Sequence, residues 1–222
     1  MSEQSERRLT ALAGILGVIL LVVGQALVLD APTIDSSASE IRTWSADNSS
    51  LVFTAVFLLA VGFTIQLVLW VGLRESLRGS IPGTGLLSAA GLFGAALVTA
   101  VGLAGFASSA VLAFDASRIG DDSARVLNDL AFISVNLSSI ATALALGAFA
   151  AAILRGRAMP AWLGWAAGVT AVVHLVAGGA FARSGVFSPQ RIGIYLAPVL
   201  YYLWVAAASI LLLRGGPAQR AG

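Results

Sequence analysis

The chain has 222 residues, of which 58% are hydrophobic and only 11% are charged, and its mean hydropathy is +0.91. Because soluble domains carry about 25% charged residues, this composition excludes an ordinary water-soluble domain. The absence of cysteine excludes disulfides, thiolate metal sites and cysteine nucleophiles. The basic residues are all arginines and are spread among the loops without interleaved aromatic residues, so we expect no nucleic-acid partner.

Six long apolar runs predict six membrane-spanning helices, because about 20 helical residues cross the hydrocarbon layer of a bilayer. We place the spans at residues 9–29, 51–73, 85–114, 130–154, 161–181 and 192–213. The connections are too short to fold separately, so we predict one all-α domain over residues 1–222, a polytopic six-helix membrane bundle. A cleaved signal peptide is the alternative for the first run, which exceeds the usual apolar length of such peptides.

Charge is distributed unevenly between the two sets of loops. With six spans, the termini share one side with eight arginines and three glutamates, whereas the other side has five arginines and eight carboxylates. The positive-inside rule therefore predicts that both termini are cytoplasmic. We also expect Trp70, Trp162 and Trp165, near cytoplasmic span ends, to anchor in the headgroup layer.

Two external loops carry signals for helices. Before the second span, Ser37 and Glu40 have capping-box spacing, which predicts a short interfacial helix. Before the fourth span, opposite charges recur at helical spacing and predict a helix that leads into the span. These charged residues are Arg118, Asp122, Arg125 and Asp129.

The third span carries a stripe of small residues. Ser88, Ala95, Gly102 and Ser109 recur at a constant heptad spacing. Small residues let helices approach closely in lipid, where apolar burial provides little driving force for association. We therefore expect this helix near the centre of the bundle.

His174 is the only histidine and, apart from tyrosines, the only ionisable residue deep in a span. Ionisable groups within membranes often mark ligand pathways or proton relays. Polar residues in the outer half of the bundle are candidates to meet it. The predicted intramembrane polar cluster consists of His174, Gln25, Asn136, Ser139, Tyr195 and Tyr202. The alternative is a structural, neutral imidazole that is hydrogen-bonded between helices.

The sequence provides little for catalysis. A single intramembrane histidine cannot supply the ligand set of a metal hydrolase or of a haem with two histidine ligands. The chain contains neither a nucleophile elbow nor a phosphate-binding glycine motif with lysine. We therefore predict no catalytic residue, metal or cofactor, and enzyme is the least supported class.

Several short motifs occur in order along the chain. They are Glu40-Ile41 with Trp44, Leu69-Trp70 before Arg74 and Arg78, the stretch 159–165, Val186-Phe187-Ser188-Pro189, and the terminal Leu-Leu-Leu-Arg214. These motifs resemble those of a large group of bacterial six-span proteins catalogued as domains of unknown function. The resemblance covers nearly the whole chain and implies a multi-pass protein of the bacterial cytoplasmic membrane, with no activity or catalytic residues to transfer.

Two hypotheses of function follow. The first is a non-enzymatic bundle, surrounded by membrane lipids, that senses, scaffolds or regulates protein partners or forms a homo-oligomer. The second is a small transporter or permeability protein with an outward-facing polar cavity around His174. Convergence of the polar cluster on a pocket favours the second hypothesis, whereas tight packing around His174 favours the first.

Overall fold

The computed structural model describes residues 2–78, 83–156, 159–181, 187 and 196–214. These residues form seven α-helices, six of which are long and apolar enough to cross a membrane. The prediction of an all-helical fold with six long apolar helices is confirmed. The helices are α1 (Glu3–Leu27), α2 (Ala38–Asp47), α3 (Ser49–Leu77), α4 (Thr84–Asp115), α5 (Asp121–Gly156), α6 (Ala161–Gly178) and α7 (Ala197–Arg214).

The helix ends show where local signals act. The short helix predicted before the second span is α2, and its N-cap Ser37 accepts a hydrogen bond from the Glu40 amide at 3.2 Å. Helix α5 begins at Asp121, well before residue 130, because acidic residues in its first turn suit the positive end of the helix dipole. Helix α6 ends at Gly178, short of residue 181. The predicted start of the last span at residue 192 lies outside the described residues.

The six long helices form a closed ring. Each packs against the next long helix along the chain, and α7 packs back against α1. Helices α1 and α7 run antiparallel, since Gly14 lies against Ser209 whereas Gln25 pairs with Tyr202. Large apolar side chains, such as those of Phe57, point outward, where a bilayer would cover them.

The expected central position of α4 is wrong. Helix α4 packs against its ring neighbours α3 and α5 and against α2, in the same way as the other members of the ring. Gly91, Gly94 and Gly105 of α4 lie against α5. A Cβ atom at Gly94 would lie 2.8 Å from the Ala145 nitrogen and 3.0 Å from the Ala145 Cα, so the two backbones touch there.

An aromatic cluster fills one half of the ring interior. It consists of Trp70, Phe149, Tyr201 and Trp204, from α3, α5 and α7. The Trp70 ring stacks on that of Trp204 with centroids 5.6 Å apart and lies 5.3 Å from that of Phe149. The Trp204 indole N–H donates to the carbonyl of Leu163 on α6 at 3.0 Å. The cluster therefore ties four helices together.

The cluster corrects the expectation for Trp70. This side chain is only 3% exposed, because it turns into the ring and not toward the headgroup layer. Trp162 and Trp165 are 53% and 67% exposed. Those two residues lie on the outer surface, where interfacial anchoring takes place.

Helix α2 lies at the end of the ring that also carries the α4–α5 connection, which we call the α2 face. The Arg42 Nε donates to the Asp121 carboxylate at 2.7 Å, and the Arg125 guanidinium donates to the Ser36 carbonyl at 2.8 Å. Ile41 is buried beside Leu112. The loop between α1 and α3 is therefore fastened to the ring by polar and apolar contacts.

Gly94→Ala tests the α4–α5 contact. The added methyl group meets the α5 backbone, so we expect the free energy of unfolding to fall by about 2 kcal/mol. The matched control is Gly168→Ala in α6, where the new Cβ lies 3.9 Å from that of Ala150 and fits without strain. Unfolding midpoints in mild detergent measure both changes. Equal midpoints for the two variants would contradict the packing described here.

Candidate ligand-binding cavity

A cavity of about 300 Å³ occupies the half of the ring interior nearest the α2 face. All seven helices contribute to its wall, and α2 forms the roof with Ile41, Trp44 and Ser45. Most of the lining is apolar, including Phe63 and Phe106, whose ring centroids lie 5.8 Å apart. Small-molecule sites in proteins have this size and this mainly apolar character with a few placed polar groups.

The structure brings together part of the predicted polar cluster. Gln25, Ser139, His174 and Tyr202 all line the cavity. Asn136 does not line it, because the side chain lies between α5 and α6 and its Nδ2 donates to the Ala180 carbonyl at 2.8 Å. Tyr195 lies outside the described residues.

His174 is 5% exposed and links α6 to the start of α7. Its Nε2 lies 3.1 Å from the Ala197 carbonyl, and its ring meets the edge of the Tyr201 ring with centroids 6.2 Å apart. Because a carbonyl only accepts, Nε2 carries the proton. In a neutral imidazole, Nδ1 is then an acceptor, and it has no partner among the described residues.

Two tyrosines of α7 donate hydrogen bonds across the ring to glutamines of α1 and α3. The Tyr202 hydroxyl donates to the Gln25 Oε1 on α1 at 2.9 Å. The Tyr201 hydroxyl donates to the Oε1 of Gln66 on α3, a side chain that is only 1% exposed. Tyr201 also belongs to the aromatic cluster, so it forms the floor of the cavity.

Sequence reasoning missed Gln66 and Tyr201. Gln66 is an amide side chain in the middle of a long apolar helix, and that isolation was a usable signal. In hydrocarbon such a group needs an internal partner, which Tyr201 supplies. The sequence contained no comparable signal for Tyr201, because the neighbouring Tyr202 was the residue assigned to the predicted polar cluster.

Charge is absent from the described wall of the cavity, which contains no Asp, Glu or Arg side chain. An ion pair at the α2 face joins Arg42 to Asp121, and neither residue lines the cavity. Within the described ranges, no group of three or more potential metal ligands comes together. The cavity therefore suits an uncharged molecule.

No protein-family model, curated protein or solved structure matches this chain.

Tyr201→Phe tests the hydrogen bond below the cavity. It leaves both amide atoms of buried Gln66 without partners, so we expect a loss of about 1–3 kcal/mol in the free energy of unfolding. The double variant Gln66→Met/Tyr201→Phe should recover most of that loss, because an apolar pair leaves nothing unsatisfied. A thermal-unfolding double-mutant cycle in detergent measures the coupling. Additive losses would show that the two side chains do not depend on each other.

Proposed function

We propose that this protein is a non-enzymatic, multi-pass protein of the bacterial cytoplasmic membrane that binds a small, mainly apolar ligand in its cavity, as a carrier or receptor. The observation that carries the proposal is the mainly apolar cavity, which has Gln25, His174 and Tyr202 among the residues of its wall. A ligand cavity is the feature that the transporter hypothesis predicted, but the wall of this cavity is more apolar than we expected from the sequence.

Packing energetics support a ligand. A bundle that served only as a scaffold would gain by filling its interior, as the aromatic cluster does in the other half of the ring. Unfilled apolar cavities of a few hundred cubic ångströms cost on the order of several kcal/mol in protein cores. An occupant of the cavity would recover the lost dispersion contacts.

One feature argues against the alternative of a sensing or scaffolding bundle that binds no ligand. Helices α3, α5, α6 and α7 meet at the aromatic cluster, and a purely structural bundle has no need of polar groups beside an open volume. Transport through the ring would require Tyr201 and Trp204 to move, because they occupy the interior below the cavity. Binding from the α2 face requires no such movement.

The proposed orientation rests on charge. The side that carries both termini also has the arginine excess, so we place it in the cytoplasm and the α2 face outside. The outward-facing apolar side chains of the six spans support lipid as the surroundings. The cavity would then open on the external half of the membrane.

Ligand retention tests the proposed function. Gly102 lines the cavity, and a Cβ there would approach only Phe106, at 4.0 Å, so Gly102→Leu fills the cavity without a backbone clash. The matched control is Ala104→Leu, on the outward face of the same helix. Native mass spectrometry should detect a co-purified small molecule on the wild type and on Ala104→Leu that is lost from Gly102→Leu. Equal occupancy in all three proteins would refute binding in the cavity.

Reporter fusions test the orientation. Green fluorescent protein fused after Gly222 should fluoresce, and alkaline phosphatase inserted at Gly120 in the exposed α4–α5 connection should be active. The matched exchange, with the two reporters swapped, should give two inactive fusions. Activity of alkaline phosphatase at Gly222 would reverse the proposed topology.

A further inference from the structure

Helix α2 separates the cavity from the outer surface of the α2 face. Ile41, Trp44 and Ser45 line the cavity as its roof. Trp44 also lines a shallow groove on the outer surface of α2, together with residues such as Ser37 and Asn48. The same residue therefore borders both the cavity and the outside. A molecule that enters from this face has to displace α2 or pass Trp44.

The apolar contacts of α2 are separate from those that hold the ring together. Ile41 belongs to a small buried cluster with Leu112 and Ala124. Among the described residues, none of α2 belongs to the main apolar core, which includes the aromatic cluster. Satellite clusters of this kind commonly lie under connecting segments. Displacement of α2 would expose Ile41 but would leave the core of the ring intact.

The two ends of α2 are joined to the ring unequally. At the C-terminal end, the single residue Asn48 connects α2 to α3, and its φ of −111° and ψ of 21° are not helical. Residues at the ends of helices are the usual hinges of moving segments. At the N-terminal end, the longer connection of residues 28–37 leads from α1 to α2. Helix α2 can therefore swing about Asn48 while the longer connection follows.

Two polar contacts hold α2 and the connection before it against α5. Arg42 pairs with Asp121 at 2.7 Å, and the two side chains are 37% and 49% exposed. The Arg125 guanidinium donates to the Ser36 carbonyl at 2.8 Å. Exposed ion pairs contribute little to stability, because water and salt screen them. These contacts favour the closed position and are weak enough to break.

We infer that α2 is a hinged lid of the cavity, which swings about Asn48 and is latched by the contacts of Arg42 with Asp121 and of Arg125 with Ser36. Its opening admits molecules to the cavity from the α2 face. Passage of a ligand by this route rests on the proposed function, whereas the movement of the lid does not. The lid sets the rate at which the cavity exchanges its contents.

A cysteine in the cavity wall reports the opening of the lid, because the chain has no cysteine of its own. Ser139→Cys places a thiol at a position that lines the cavity and is only 3% exposed. The probe is N-ethylmaleimide, a small neutral thiol reagent, added to the protein in nanodiscs. When the lid closes faster than the reagent reacts, the rate of alkylation follows the open fraction. Ratios of rates between variants cancel the reactivity of the thiol itself.

Variants of the latch should change this rate. Arg42→Gln in the Ser139→Cys protein removes the ion pair, so we expect alkylation to become about threefold faster. Arg42→Gln/Arg125→Gln removes both contacts and should give an increase of about tenfold. The charge exchange Arg42→Asp/Asp121→Arg rebuilds the pair and should return the rate toward that of Ser139→Cys alone. Added salt should accelerate alkylation of Ser139→Cys but not of its Arg42→Gln variant, since screening acts on the pair.

Two matched controls separate the lid from other causes. Arg118→Gln removes an arginine of the α2 face whose ion pair with Asp115 does not involve α2, and it should leave the rate unchanged. Ser88→Cys places the second reporter thiol at a position that is 0% exposed and does not line the cavity. Its alkylation requires opening of the ring itself, so Arg42→Gln should not accelerate it.

Equal alkylation rates in Ser139→Cys with and without the latch changes would overturn the lid. A rate for Ser139→Cys as high as that of free cysteine would also overturn it, because the cavity would then be open already. An equal acceleration at Ser88→Cys and Ser139→Cys would show that α2 stabilises the whole ring and is not a lid. Should Ser139→Cys fail to fold, Ser109→Cys reports from the α4 side of the same cavity. These outcomes need no bound ligand, so they stand apart from the ligand-retention test of the proposed function.

Discussion

The interior of this protein depends on the contact between its last and first spans, because only closure of the ring separates an inside from the lipid. Gly14 of α1 lies at this junction, where Ser209 of α7 and Leu69 of α3 meet it. Helices in lipid gain little from apolar burial, so close contacts at small residues determine which helices become neighbours. The hydrogen bond from Tyr202 to Gln25 holds the same two helices together near the α2 face. Without this closure the aromatic cluster and the cavity would both open to the bilayer.

Within the closed ring, Tyr201 separates two environments. On one side its ring packs against Trp70, and its hydroxyl is used by Gln66. On the other side its edge meets His174 at the floor of the cavity. The aromatic cluster fills the first half, while in the second half Gly102 and Gly105 lie among larger side chains of the cavity wall. The space that these glycines leave free contributes to the cavity.

The sequence predicted the helices better than their arrangement. Apolar length located all six long helices, and the capping residue Ser37 located α2, because both are local signals. The inward turn of Trp70 was missed, since in lipid both faces of a span are apolar and periodicity does not distinguish them. The expected central place of α4 failed for a related reason: a stripe of small residues shows that a partner approaches but does not identify it. Gln25 and Tyr202 were predicted to share a site because polar groups in hydrocarbon need partners, whereas Asn136 found its partner in the Ala180 carbonyl.

Disulfide trapping tests the closure of the ring most directly, since the chain has no cysteine of its own. In Gly14→Cys/Ser209→Cys the new side chains lie within the range that a disulfide spans, so mild oxidation of the protein in membranes should give an intramolecular cross-link. The matched control Leu16→Cys/Ser209→Cys should not cross-link, because the Leu16 side chain faces outward and is 46% exposed. Cross-linking of the control pair, or reduced monomer alone from the Gly14 pair, would contradict a closed ring and with it the cavity inside.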